Sequence, residues 1–264
     1  GRFREFYQCD IDILGDSSCD AETELIFVAA KALRRLGFEG FTVRVNDRRI
    51  LTDMIVAAGF PADSVPSVCI TFDKLDKVGV DGVRQELLDK GFAPDVVERF
   101  CDMACAEGEM LERAAELCTD KSVVENLKTV MERSRTLAQG AYSVVYDKSL
   151  VRGMGYYTGM VFEIASDKFK GSIAGGGRYD KMVGRLCGDD VPAVGFSIGF
   201  ERILEILTES GYQPPHARPR TALLYERDQD DFVAVLECAE RLRAQGNEVA
   251  VIARGKKWAG SSTL

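Results

Sequence analysis

The 264-residue chain contains one histidine, His216, which leaves little from which to build an imidazole-based metal site. Its eight cysteines show no framework spacing. Cys101 and Cys105 fall four apart on one face of a helical pattern, but a metal there needs two further ligands nearby. Reduced thiols in a cytosolic protein fit this usage, and no metal site is expected. No stretch approaches the ~18–20 apolar residues of a membrane span, and Gly1–Glu5 carries no apolar signal run. Basic residues are in the minority, with 34 Lys plus Arg against 42 Asp plus Glu for a net charge of −8. Such a balance does not advertise nucleic-acid binding, although a local basic patch on an acidic protein stays compatible with it. With 46% hydrophobic and 29% charged residues the composition is ordinary for a globular protein, long enough for about two domains.

Residues 6–13 alternate as a strand, with Gln8, Asp10 and Asp12 on one face and Tyr7, Cys9, Ile11 and Ile13 on the other. Asp20 is placed to cap a helix over 21–36, whose apolar stripe is Leu25, Val28, Ala29, Ala32, Leu33 and Leu36. A strand at 41–45 and a helix ending near Ala58 follow. From about 60 to 140, helical stretches punctuated by Pro61, Pro66 and Pro94 replace strand-like alternation, reading as a helical module between two β-rich segments. Strands return at 143–146, 156–164, 172–175 and 194–198, with helices at 179–186 and 199–209. After a linker at 213–219, the pattern 221–225, 229–245, 248–252 reads as a β-α-β start of an α/β domain. No internal repeat is visible.

Three segments carry candidate chemistry. Gln8, Asp10 and Asp12 on one strand face suit a polar cleft, though a strand with one solvated face has the same pattern. In 150–163, Arg152 beside glycine lets a guanidinium approach a ligand, and Tyr156 and Tyr157 add hydroxyls and rings; a glycine turn with core tyrosines reads alike. In 172–202, Gly175, Gly176 and Gly177 leave a shelf of bare backbone, and Arg202 opens a helix just past Gly199, where a guanidinium can meet phosphate. This is not the dinucleotide fingerprint, because the Gly-x-Gly-x-x-Gly order is absent.

Taken together, these segments resemble the signatures of the histidyl-tRNA synthetase family, within class II aminoacyl-tRNA synthetases. Residues 1–13 resemble the second strand of class II motif 2. Residues 150–163 are similar to the family stretch Leu-Val-Arg-Gly-Leu-Asp-Tyr-Tyr-Thr-Gly, and 174–202 to the glycine-rich strand and motif 3. Val45–Leu51 and Asp73–Lys77 also fit. The resemblance implies an α+β fold: an antiparallel six-stranded sheet flanked by helices at 1–60 and 140–211, a helical insertion at 61–139, and the start of an anticodon-binding domain at 219–264. It also implies a cytoplasmic, homodimeric ligase that activates histidine with Mg2+-bound ATP to histidyl-adenylate and passes it to tRNA(His). Carried over by position, Gln8, Asp12, Tyr156, Tyr157, Gly175 and Gly177 would hold histidine. Gln8, Arg152, Gly176 and Arg202 would hold ATP, with Arg152 the catalytic cation on the α-phosphate.

Two departures accompany the likeness. Gly155 stands where the family stretch has Asp, removing a carboxylate beside Arg152. Motif 1, the first half of motif 2 and the far half of the anticodon-binding domain are not in the sequence, so it reads as a fragment inactive by itself. The competing readings are a non-catalytic regulatory subunit of ATP phosphoribosyltransferase, and a synthetase-like sensor of uncharged tRNA. Retention of Arg152 and Arg202, and the β-α-β pattern after the linker, favour the ligase.

Overall fold

The computed structural model describes residues 5–105, 110–152, 155–167, 169–213, 218–227 and 229–254. His216, Arg2 and Arg4 lie outside the described residues, as does the side chain of Cys105. The chain divides into two compact units, 1–208 and 209–264.

In the first unit, strands β1 (Gln8–Leu14), β2 (Thr42–Asp47), β3 (Ser143–Tyr146), β4 (Met160–Ser166), β5 (Phe169–Arg178) and β6 (Ala193–Gly199) form one sheet in the order β1-β6-β5-β4-β2-β3. Four of its pairings are antiparallel, and β2 with β3 is parallel. The parallel pair follows from the chain between them: the described residues from 48 to 142 hold helices and no strand, giving the long crossover that parallel neighbours require. Opposed residues share a face, so the registers sort the sheet into two surfaces. Val43, Val45, Phe162, Ile164, Ala174, Phe196 and Ile198 are buried on one of them against helices α1 (Asp20–Arg35) and α7 (Lys121–Ala138). The other face carries Gln8, Asp10, Asp12, Ser197, Glu163 and Arg44, with glycines between them.

Helix α1 buries Leu25, Ala29 and Leu33 of the expected stripe, and Ile26 and Ala30 beside it. Its N-cap is Cys19, not Asp20. Asp20 is already helical and its carboxylate is paired with Arg133, so it does not turn back onto the helix amides. Asp47 does cap α2 (Arg48–Ala58), accepting from the Arg49 amide at 2.9 Å, and Gly59 closes that helix with φ 105°. Strand β4 starts at Met160, later than the alternation from 156 suggests, because residues 155–159 turn toward the sheet's polar face.

A second apolar core joins α2 to α3 (Val65–Phe72), α4 (Leu75–Asp89) and α5 (Pro94–Cys105) through Ile55, Phe60, Phe72, Leu87 and Phe100. Helix α6 (Met110–Leu117) precedes α7, and helices α8 (Asp180–Cys187) and α9 (Phe200–Glu209) follow β5 and β6. The second unit holds a parallel pair, β7 (Arg220–Tyr225) and β8 (Glu248–Ala253), joined by α10 (Phe232–Ala244), whose N-cap Asp231 accepts from the Val233 amide. Among the described residues no helix is long and apolar enough to cross a membrane.

Two ionic groups set local stability. Arg178, at the end of β5, is 6% exposed and donates to both Glu22 oxygens at 2.6 and 2.7 Å, to the carbonyls of Asp16 and Ser18 at 3.0 Å, and to Asp180 at 3.2 Å. Removing one partner of a buried pair strands the other charge. Glu22→Ala is therefore expected to destabilise the protein by about 3–5 kcal/mol in urea melts. In the helical layer, Glu86 accepts from Lys74 at 2.8 Å and from the Thr71 hydroxyl at 3.0 Å. The Lys74 contact, assisted by Thr71 and Lys90 and opposed by burial, lowers its carboxyl from 4.5 to about 2. A depressed acid stabilises the fold above its unfolded pKa and loses that contribution as pH falls through its folded value. The stability gap between wild type and Glu86→Gln should therefore be full at neutral pH, shrink below about 4.5 and close near 2; urea melts across that range measure it.

Candidate functional site

The polar face of the sheet is organised by bare backbone. On β5 and β6, Gly175 lies opposite Ser197, and Gly177 opposite Gly195. A methyl group at Gly175 would run into the Arg152 guanidinium. One at Gly177 would stand 2.9 Å from the Tyr157 ring and 2.7 Å from the Met160 carbonyl, and one at Gly195 would collide with the Asp12 carboxylate. Each glycine is thus the seat of one candidate side chain. Gly176 is different: it alternates to the reverse face, opposite both Phe162 and Phe196, whose rings stack at 5.4 Å. It can offer the polar face only its peptide group.

The side chains form three groups along the strands. At the Gly177–Gly195 level, Asp12 accepts a short hydrogen bond from the Tyr179 hydroxyl. Tyr156 packs edge-on to Tyr179 at 6.1 Å and against Tyr157 at 4.5 Å, and its hydroxyl donates to that of Tyr157 at 3.3 Å. Burial first, then the hydrogen bond to Asp12 and its charge, pushes the Tyr179 phenol well above its usual range; burial and the Tyr157 hydroxyl do the same for Tyr156. Both therefore stay protonated at neutral pH, so Tyr179 serves as a donor.

At the Gly175 level, Arg152 approaches Glu163 at 3.5 Å. Glu163 lies opposite Gly175 on one side and Arg44 on the other, with Arg44 at 3.5 Å. Burial pushes the Glu163 carboxyl upward, while Arg152 and Arg44 pull it back. Arg152 has φ 50°, in the left-handed region that non-glycine residues enter at a cost of about 1–3 kcal/mol and that clusters at functional sites. Gly155, where the family stretch has Asp, faces open space at its Cβ position. Glu163 supplies a carboxylate to Arg152 in spite of that loss.

At the Gly199 level, the Arg202 stem lies against Gly199, and its guanidinium binds the Ser172 carbonyl and hydroxyl, the latter at 3.4 Å. Gln8 donates to the Ser197 hydroxyl at 2.8 Å, and Glu201 accepts from the Tyr7 amide at 2.6 Å. Strand geometry spaces successive levels by about 6.5–7 Å, so Asp12 and Arg202 are seated at levels about 13 Å apart with Arg152 between them. Apart from Gly176, every candidate residue from the sequence faces this one surface. Glu163, Tyr179 and Gly195 join them unannounced. Register alone could have found Glu163 and Gly195, each paired with a candidate, whereas Tyr179 lies beyond β5 and joins through its hydroxyl bond to Asp12. Among the described residues no group of three or more His, Cys, Asp or Glu is placed to hold a metal ion.

Comparison with known proteins identifies the family. The family profile described as Histidyl-tRNA synthetase matches residues 1–203. The histidine–tRNA ligase of Leifsonia xyli subsp. xyli is 38% identical over 97% of this chain and 61% of its own length. The crystal structure of histidyl-tRNA synthetase from Nostoc sp. PCC 7120 superposes with a TM-score of 0.73 and 25% identity, covering 97% of this chain and 63% of that one. A protein from Bacillus halodurans C, described as an ATP phosphoribosyltransferase regulatory subunit/histidyl-tRNA synthetase, shares the fold at a TM-score of 0.69 and 20% identity, over 98% of this chain and 65% of that one. The chain thus spans about three-fifths of the length of these relatives. With the profile covering most of its length, the chain belongs to the histidyl-tRNA synthetase family.

Proposed function

We propose that this chain carries the amino-acid-activating centre of a histidine–tRNA ligase. The observation that carries the reading is the order of Asp12, Arg152 and Arg202 along one sheet face, two of them seated on bare backbone and the third against Gly199. A histidyl-adenylate has the same order of parts: an imidazole, a phosphate, then a nucleoside.

In this reading, Asp12, held by Tyr179, accepts a hydrogen bond from an imidazole N–H, and Tyr157 and Tyr156 complete the ring's surroundings. An ionised carboxylate only accepts, so it favours a ring that donates, and a polar site of this kind rejects apolar analogues strongly. Gly175 and Gly177 let Arg152 and Tyr157 sink into the sheet, and the amino-acid backbone lies above them. Arg152 lies beside the α-phosphate. A histidine carboxylate oxygen attacks the α-phosphorus, the bond from phosphorus to the bridging oxygen breaks, and pyrophosphate departs with its electron pair. Negative charge gathering on the phosphoryl oxygens is met by a guanidinium already in place, so catalysis is electrostatic and positional, with no protein nucleophile. Gln8, Arg202 and the peptide of Gly176 serve the nucleotide, with Mg2+ arriving on the ATP phosphates. In the second step a terminal ribose hydroxyl of tRNA(His) attacks the histidyl carbonyl and AMP leaves. A homodimer in the cytoplasm is the setting that family membership suggests.

Histidine-dependent ATP–pyrophosphate exchange by the full-length protein tests the reading. Exchange with histidine alone is expected. Arg152→Ala should lower it by about a hundredfold to a thousandfold, equivalent to ~2.7–4 kcal/mol, and Gly175→Ala should lower it too by displacing the guanidinium. Saturable histidine binding without exchange would replace this reading with the regulatory subunit.

A further inference from the structure

The segment Val45–Leu51 carries the family likeness but no role in the chemistry above, and its contacts give it one. Asn46 lies at the end of β2, opposite Val161, and is 1% exposed. Its carboxamide nitrogen donates to the carbonyls of Leu150 at 2.9 Å and Lys148 at 3.2 Å, while its oxygen accepts from the Asp47 amide at 2.8 Å. Two residues on, the Arg48 guanidinium donates to the Arg152 carbonyl at 3.4 Å. The junction of β2 and α2 therefore grips three carbonyls within residues 148–152. The loop is braced from within as well, because Asp147 accepts from the Ser149 amide at 2.9 Å and hydroxyl at 2.6 Å.

Carbonyls only accept, so a buried group gripping two of them must supply two N–H donors. Asn does so in a volume that fits. Asp has the same shape and no N–H donor, and Ser is too short. Arg152, two residues beyond Leu150, is held at φ 50° and has its guanidinium aimed over Gly175. A backbone in that region persists only where its surroundings over-determine it.

We propose that Asn46 is the positioning residue for Arg152: by fixing the Lys148 and Leu150 carbonyls it sets the left-handed turn that carries the guanidinium onto Gly175. Its kinetic consequence rests on the assignment of Arg152 to the phosphate; its structural consequence does not. Misplacing a catalytic group by about 1 Å can cost on the order of a hundredfold in rate while leaving distant substrate contacts alone.

The test is a double-mutant cycle in the full-length protein with Asn46→Ser, Arg152→Ala and the pair, reading histidine-dependent pyrophosphate exchange. Asn46→Ser should lower kcat by about tenfold to a hundredfold, with the KM for histidine held within about twofold. The pair should be no slower than Arg152→Ala alone, because residues acting as a unit are not additive. Losses that multiply, or a raised histidine KM at unchanged kcat, would overturn the proposal. Hydrogen exchange with Asn46→Asp decides the structural claim independently of any activity. Amides of 147–152 should exchange about tenfold faster or more while those of β5 and β6 do not change. Unchanged protection at 147–152 would overturn it, whereas absent exchange activity in the wild type would overturn only the functional reading.

Discussion

The polar face of the sheet depends on the absence of side chains at Gly175, Gly177, Gly195 and Gly199. In a sheet, every second residue presents a Cβ to a given face, and a ligand or side chain normally lies above that layer. Here four positions of the two adjacent strands β5 and β6 are bare; Arg152, Tyr157 and Asp12 sink into the layer at three of them, and the Arg202 stem lies against the fourth, Gly199. Glycine weakens a strand, and the reverse face compensates: Phe162 and Phe196 stack across Gly176, and both are buried in the core that α1 and α7 close. The same alternation that empties one face packs the other.

Charge on this face is arranged around Glu163. Its carboxylate stands between Arg152 and Arg44, and the Ser172 hydroxyl that Arg202 meets also hydrogen-bonds to it. Burial opposes its ionisation and leaves its carboxyl raised, the two arginines offsetting part of that, so cations and anion hold one another in place. Arg44 continues through Asp147 to the loop before Arg152 and through Asp76 at 3.4 Å to helix α4. Arg178 anchors the far end of β5 in the same manner, with Glu22, Asp180 and two carbonyls saturating its guanidinium.

Much of this was legible in the sequence where the signal is local. The alternation of Gln8, Asp10 and Asp12 needs only a period of two, the α1 stripe only a period of 3.6, and three glycines in a row announce bare backbone. What was not legible depends on partners far along the chain. Asn46 meets Leu150, Glu22 meets Arg178, and Asp12 meets Tyr179, each across a hundred residues or more, and no pattern within a window reports such pairs. The face on which Gly176 falls follows from register, which a run of identical residues cannot reveal. Asp20 shows the limit of a local rule: it has the right chemistry for a cap, but Arg133 claims its carboxylate and Cys19 takes the cap position.

The proposed adenylate lies along the sheet with its imidazole at the Asp12 end and its nucleoside at the Arg202 end. A crystal structure of the full-length protein with a non-hydrolysable sulfamoyl analogue of histidyl-adenylate tests this orientation most directly. The account predicts the imidazole against Asp12 and Tyr157, the sulfamoyl group beside Arg152 over Gly175, and the adenosine toward Arg202 and Gln8. An analogue bound with its imidazole at the Arg202 end, or away from the Gly175–Gly177 shelf, would contradict it.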